Sequence, residues 1–155
     1  MKKTTKEYGD WVQECTTLSN ADSQQSCRLF QSHWVNVQGK KTKLLTVSIG
    51  WMPRALPNEN KIVKLPTLVF STPLNTALSY PVMLRFDPKA DAKFLAPFQT
   101  CNPAGCIAER VMGEKLVEDM KAKGTLSATY QLLTNQGPKT FKFDISLKGF
   151  TAAFD

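Results

Sequence analysis

Four stretches of the chain alternate between apolar and polar residues with a period of two. Successive side chains of a β-strand point to opposite faces, so this period is typical of a strand with one face in a core and the other in solvent. We therefore predict half-buried strands of antiparallel sheets in these stretches. Their apolar positions are Leu45, Val47, Ile49 and Trp51; Tyr80, Val82, Leu84 and Phe86; Leu126, Ala128, Tyr130 and Leu132; and Phe141, Phe143, Ile145 and Leu147.

Five further segments carry weaker strand patterns, and residues that favour turns separate many of the predicted strands. The segments are Trp11–Cys15, Cys27–Val37, Ile62–Phe70, Phe94–Cys101 and Cys106–Val111. Asn, Asp, Gly and Pro cluster between strands because they fit turn backbones. The predicted turns are Asn58–Asn60, Asp87–Lys89, Asn102–Gly105 and Asn135–Pro138, and the last two are predicted to join hairpins.

A single segment, Glu114–Lys123, has helical spacing instead. Leu116, Val117 and Met120 fall on one side of such a helix. Acidic residues come early in the segment and lysines late, which the helix dipole favours. We expect a short helix that covers part of a sheet.

About nine strands and one short helix near residues 114–123 predict an all-β fold, a two-sheet antiparallel β-sandwich. A chain of 155 residues is typical of one domain. We assign residues 9–155 to that domain and the polar residues 1–8 to a flexible N-terminal tail. Hydrophobic residues make up 42% of the chain and no stretch approaches 18 consecutive apolar residues, so neither general disorder nor a transmembrane helix is predicted.

The four cysteines form two close pairs in the sequence, which favours two disulfides. Three connectivities are open to four cysteines. The local pairing, Cys15 with Cys27 and Cys101 with Cys106, is the one we favour. The spacings lack the tight knuckles typical of structural zinc and the C-x-x-C of redox dithiols, so these two alternatives are disfavoured.

Disulfides form in oxidising compartments, so the cysteine pairs predict an exported protein. The chain begins M-K-K-T-T-K-E-Y, a basic start without the apolar segment of a signal peptide. We therefore expect a periplasmic, secreted or outer-membrane-associated protein whose signal peptide is absent from this sequence.

The net charge of +7 is concentrated in one part of the chain. Residues 38–64 hold six basic side chains and one acidic side chain, a net of +5. A solubilising surface is the simplest interpretation, with two small patches at the ends of one strand. The functional alternative is a polyanion-binding module for lipopolysaccharide, a glycan or an anionic membrane surface; nucleic acid is not expected as the partner of an exported protein. The candidate residues are Lys40, Lys41, Lys43, Arg54, Lys61 and Lys64.

Residues that could carry catalysis are sparse. His33 is the single histidine, and no G-x-S-x-G segment supplies it with a nucleophile. Asp87 with Asp91, and Glu118 with Asp119, are paired carboxylates that suit solvated charges better than catalysis. No phosphate-binding glycine motif occurs. We expect no catalytic residue, no metal site and no cofactor.

Several motifs, taken in order along the chain, coincide with one family. They are Gly9-Asp10-Trp11 before Cys15, the block from Pro97-Phe98 through Cys101 and Gly105-Cys106 to Ala108, and Ser146-Leu147-Lys148-Gly149-Phe150 near the end. This combination resembles the bacterial invasion-associated locus B family over nearly the whole chain.

The resemblance implies a secreted or periplasmic β-rich protein of Gram-negative bacteria that is associated with invasion of host cells. No catalytic residues are carried over from the family. The partner implied is an unidentified component of the envelope or of the host cell. For the motifs themselves, we expect Trp11 to be a core ring beside the first disulfide, and Gly149 to mark a bulge or a close backbone approach.

Overall fold

The computed structural model describes residues 2–17, 25–56, 58–86 and 93–155, which form eleven strands and two short helices. The predicted turn at Asp87–Lys89 lies outside the described residues. The strands are β1 (Lys2–Tyr8), β2 (Trp11–Thr17), β3 (Gln25–Val37), β4 (Lys40–Leu56), β5 (Lys61–Thr72), β6 (Val82–Arg85), β7 (Phe94–Ala96), β8 (Phe98–Asn102), β9 (Gly105–Val111), β10 (Thr125–Thr134) and β11 (Gly137–Ser146), and the helices are α1 (Glu114–Ala122) and α2 (Phe150–Phe154).

The strands form two antiparallel sheets, which confirms the predicted β-sandwich. The larger sheet has the order β1-β2-β3-β4-β5-β9-β8, and the smaller sheet has the order β11-β10-β6-β7. Neighbours along the chain pair as hairpins in most places, while β6 lies beside β10 and β5 lies beside β9.

The core lies between the sheets and is built from the alternating positions. Because every second residue faces inward, the apolar members of each series are buried together. Trp51 and Tyr80 are exceptions among those members, since both have more than a third of their surface exposed, and Phe86 and Phe141 are only partly buried. The buried residues of the larger sheet include Leu45, Val47, Ile49, Leu68 and Phe70, and those of the smaller sheet include Val82, Leu84, Leu126, Tyr130 and Ile145.

The expectation of a flexible tail at residues 1–8 is corrected for residues 2–8, which the structure describes. Lys2–Tyr8 is strand β1, which pairs antiparallel with β2 from Lys2 opposite Thr17 to Tyr8 opposite Trp11. Its side chains are almost all exposed, so no apolar alternation marks it in the sequence. Backbone pairing with β2 is what holds it.

The segment predicted as one strand over Phe94–Cys101 is two strands, divided at Pro97. Strand β7 pairs with β6 in the smaller sheet, and β8 pairs with β9 in the larger one. Proline has no N–H for a sheet ladder, so the chain leaves one sheet and joins the other at this position.

The predicted helix is confirmed as α1, and the second helix, α2, was not predicted. Gly149 precedes α2 with a φ of 87°, in the left-handed region that favours glycine. Phe150 and Ala153 of α2 are buried in the core. None of the described helices is long and apolar enough to cross a membrane.

Candidate functional site

The single histidine is built into the sandwich. His33 Nε2 lies 2.8 Å from Gln31 Oε1, and its ring packs edge-on against Phe143 with 5.8 Å between centroids. Burial lowers the pKa of His33 below its usual 6.5, and the nearby carboxylate of Asp144 opposes this shift. Through its contact with Phe143 on β11, His33 on β3 links the larger sheet to the smaller one.

The candidate carboxylate pairs do not converge on a described site. Asp87 and Asp91 lie outside the described residues. On α1, Asp119 forms an ion pair with Lys115, one helical turn away, in which Lys115 Nζ donates a hydrogen bond to Asp119 Oδ1 at 3.0 Å. Within the described ranges, no group of three His, Cys, Asp or Glu side chains is placed to hold a metal ion.

The six basic candidates form two separate groups at the two ends of β4. Lys40, Lys41 and Lys43 lie at the hairpin between β3 and β4. The others lie towards the turn between β4 and β5, where Lys61 is opposite Leu56. Lys43 and Arg54 are eleven residues apart on one strand, or about 36 Å at ~3.3 Å per residue.

Arg54 is committed to a different contact. Its guanidinium Nη2 lies 3.3 Å from Glu109 Oε2 on β9, two strands across the larger sheet. This ion pair neutralises the arginine locally, so the group at the β4–β5 end retains two lysines as its positive charges. The group at the β3–β4 end is the more concentrated one.

An exposed tryptophan, not singled out from the sequence, joins the lysines at the β3–β4 hairpin. Half of the Trp34 surface is exposed to solvent. Lys41 Nζ and Lys43 Nζ lie 5.3 and 5.5 Å from the centroid of its ring, within the range of cation–π contacts. We call Trp34, Lys40, Lys41 and Lys43 the hairpin site.

A β-bulge sets the position of Trp34. His33 is opposite Leu45 whereas Trp34 is opposite Lys43, so Leu44 is the extra residue on β4. Leu44 and Leu45 are both buried as a result. Bulges redirect side chains in this way, and here Trp34 is paired with a lysine on the solvent side.

The bulge is anchored from the opposite sheet. The Tyr130 hydroxyl on β10 donates a hydrogen bond to the carbonyl oxygen of Leu44, a group that the bulge removes from the regular ladder. Burial raises the pKa of Tyr130 far above its usual range, so the hydroxyl keeps the proton that it donates. This hydrogen bond links the part of β4 beside the hairpin site to the core.

The turn between β3 and β4 consists of two residues, Gln38 and Gly39. Both have positive φ angles, 51° and 78°, as a two-residue turn between antiparallel strands requires. The tip projects Lys40 directly after the turn, and Val37 opposite it is also exposed.

The G-D-W and S-L-K-G-F motifs lie together, where they join the two ends of the described fold. Asp10 N donates to the Lys148 carbonyl at 3.0 Å. Trp11 Nε1 donates to the Ser146 carbonyl at 3.0 Å, and the Ser146 hydroxyl bonds to the Asp10 carboxylate. We call these residues and Gly149 the terminal junction. Trp11 is a buried core residue, as expected.

Both predicted disulfides are confirmed. Cys15 is bonded to Cys27 and Cys101 to Cys106, in each case between residues directly opposite on neighbouring strands, with Cα atoms 4.0 Å apart. The first bridge joins β2 to β3, and the second closes the hairpin of β8 and β9.

Removing each bridge is expected to lower the free energy of unfolding by an amount that follows the length of the loop it closes. The bonded residues are 12 and 5 positions apart. Loop-closure entropy then gives about 3 kcal/mol for Cys15–Cys27 and about 2 kcal/mol for Cys101–Cys106. Urea unfolding of the two paired Cys→Ala variants measures both losses, and equal stability with and without the bridges would contradict the expectation.

Comparisons with known proteins agree with the sequence motifs. The family model described as "Invasion associated locus B (IalB) protein" matches residues 11–155. The invasion protein B homologs of Brucella abortus strain 2308 and of B. abortus biovar 1 strain 9-941 are each 34% identical over 87 residues, 56% of this chain. That match spans 48%, about half, of the length of these curated relatives.

A solved structure shares the fold. The crystal structure of invasion associated protein b from Bartonella henselae superposes with a TM-score of 0.69 and 21% sequence identity, covering 97% of this chain and 92% of that one. At this identity the likeness establishes the β-sandwich architecture alone.

Proposed function

The chain belongs to the invasion associated locus B family, and from this premise we propose that it is an exported protein that acts by binding at the bacterial envelope or at the host cell, rather than by catalysis. The two disulfides support export, because such bonds form and persist in oxidising compartments. The engagement of His33 with Gln31 and Phe143 supports a scaffold role for the residue best suited to acid–base chemistry.

The hairpin site is the surface that we propose makes contact with a partner, and the partner is an anionic membrane surface. The observation that carries this proposal is the exposed Trp34 ring flanked by Lys41 and Lys43. Tryptophan has an apolar body with one polar N–H, which suits the boundary between lipid and water. Lysines beside it supply attraction to lipid phosphates.

The lysines of the hairpin site have positive charge to offer. Within the described parts of the chain, none of Lys40, Lys41 and Lys43 is within ion-pair distance of a carboxylate. Each lysine near an anionic surface contributes about 1 kcal/mol of attraction. Three of them, with an exposed tryptophan, favour weak, reversible and salt-dependent association.

Replacing Lys40, Lys41 and Lys43 together with glutamine is expected to weaken binding to anionic vesicles about 100-fold, since three lysines contribute roughly 3 kcal/mol. Co-sedimentation with vesicles of phosphatidylglycerol and phosphatidylcholine at low and high salt measures the affinity. The Trp34→Ala variant is expected to weaken binding as well, with less effect on the salt dependence.

A matched control removes the same charge elsewhere. Lys2, Lys3 and Lys6 lie on the exposed strand β1, and their replacement with glutamine also lowers the net charge by three. This control is expected to retain most of the vesicle affinity. Equal losses of vesicle affinity in the two triple variants would show a non-specific charge effect and would refute the hairpin site. Binding to soluble heparin without any binding to vesicles would favour a glycan partner over a membrane.

A further inference from the structure

A concave site, which shares no residue with the hairpin site, lies between α1, β7 and β9. It is a cavity of about 450 Å³, within the range of about 300–1,000 Å³ typical of small-molecule sites. Phe86, Phe94, Val111 and Leu116 provide its apolar wall. The rings of Phe86 and Phe94 are 5.8 Å apart and tilted by 32° against each other, so they form one continuous aromatic surface.

The described side chains that line the cavity carry a net positive charge. Among the described residues that line it, Arg110, Lys115 and Lys123 are basic and Asp119 is acidic. Lys115 and Asp119 form an ion pair at 3.0 Å and so neutralise each other. Among the described lining residues, Arg110 and Lys123 remain as the excess charge, and they favour a ligand with a negative group.

Arg110 is held in place before any ligand arrives. Its guanidinium lies 5.0 Å from the centroid of the Phe94 ring, and its Nη1 donates to the Leu95 carbonyl at 2.9 Å. These contacts use one of the five N–H donors of the guanidinium. The planar fork of donors that is left matches the two oxygens of a carboxylate.

We propose that this cavity binds an amphipathic anion, namely a long-chain carboxylate. The acyl chain lies against Phe86, Phe94 and Leu116, where it leaves water, and the carboxylate accepts hydrogen bonds from Arg110. An apolar wall with a fixed cation at one end selects for both parts of such a molecule. A polar anion would make no apolar contact with the aromatic wall, and a cationic amphiphile would be repelled by the positive charge of Arg110.

Isothermal titration calorimetry of the full chain with dodecanoate, below its micelle-forming concentration, tests the proposal. One molecule is expected to bind per chain, and dodecyltrimethylammonium, with the same chain and the opposite charge, is expected to bind at least tenfold more weakly. Arg110→Gln is expected to weaken dodecanoate binding at least tenfold, and Leu116→Asp to abolish it. Methyl chemical shifts of Val111 and Leu116 are expected to move on binding.

Lys121→Gln is the matched control on the same helix. Lys121 contacts Asp155 and the Phe154 ring instead of the cavity, so its replacement is expected to leave dodecanoate binding unchanged. Absence of binding to the wild-type chain, equal affinity for the cationic amphiphile, or unchanged affinity in Arg110→Gln would each overturn the proposal. Because Arg110 is exposed, the Arg110→Gln variant is expected to fold normally. It therefore tests the proposal even where Leu116→Asp lowers stability.

Discussion

Replacing Gly149 with alanine is expected to destabilise the domain by about 3 kcal/mol or more, enough to unfold a large share of the molecules at moderate denaturant concentration. Gly149 has a φ of 87°, which costs any other residue strain. A Cβ at this position would also overlap the Tyr8 carbonyl oxygen and stand 2.7 Å from the Gly9 nitrogen. These neighbours are backbone atoms, so no side-chain rotation relieves the overlap.

The strain would fall on the terminal junction. Gly9 faces the same approach from the other side, where a Cβ would stand 2.8 Å from the Lys148 carbonyl carbon. The two glycines let two backbones touch, and this contact brings Asp10 N to the Lys148 carbonyl. A side chain at Gly149 would separate β2 from the start of α2, and so weaken the burial of Phe150.

The matched control is Gly50→Ala on β4, where a Cβ would meet no atom within 4 Å. This variant is expected to stay within about 1 kcal/mol of the wild type, because alanine there adds no clash and restricts the unfolded chain. Guanidinium unfolding monitored by circular dichroism compares the two variants. Similar midpoints for Gly149→Ala and Gly50→Ala would show that the close backbone approach at Gly149 does not affect stability.

The sequence predicts the strands of this fold better than their arrangement. A strand with one buried face must alternate, so the four strong series and the five weaker ones all correspond to strands. Strand β1 shows no such pattern because both of its faces are largely exposed. The placement of β9 beside β5, and of β10 beside β6, depends on long-range packing that no local pattern encodes.

One local signal for the hairpin site was present in the sequence. Leu44 and Leu45 are consecutive leucines that interrupt the alternation, and both are buried because of the bulge. Such a doublet in a strand indicates an extra residue, which shifts the residues opposite it. The charge pattern of the sequence identifies the lysines of the hairpin site. The position of Trp34 beside them depends on the register of β3 against β4, which the sequence does not show.

The motifs that carry the family resemblance have structural roles in this chain. G-D-W and S-L-K-G-F meet at the terminal junction, and the two cysteines of the P-F-x-x-C block close the β8–β9 hairpin. None of these motif residues belongs to the hairpin site or lines the cavity at α1. Motif residues of this kind identify the fold, so the binding surfaces have to be found from geometry.

Replacing Trp11 with alanine is expected to lower the free energy of unfolding by about 3–5 kcal/mol, the range for a large aromatic removed from a core. Trp11 is fully buried, and its ring packs edge-on against Phe150 with 5.8 Å between centroids. Its Nε1–H also donates to the Ser146 carbonyl. Alanine would leave a cavity at the point where β2 contacts α2.

Two further variants separate packing from hydrogen bonding at this position. Trp11→Phe keeps most of the ring but removes the donor, and the Ser146 carbonyl still accepts from Gln31 Nε2 at 3.0 Å, so a loss of about 1 kcal/mol is expected. Trp51→Ala is the control, since Trp51 is 36% exposed and packs on Phe154 near the surface. Urea unfolding measures the loss of free energy of unfolding in the three variants. If burial of the indole dominates, the loss is largest for Trp11→Ala, smaller for Trp11→Phe and smallest for Trp51→Ala. A loss in Trp11→Phe as large as that in Trp11→Ala would assign the stability to the hydrogen bond instead.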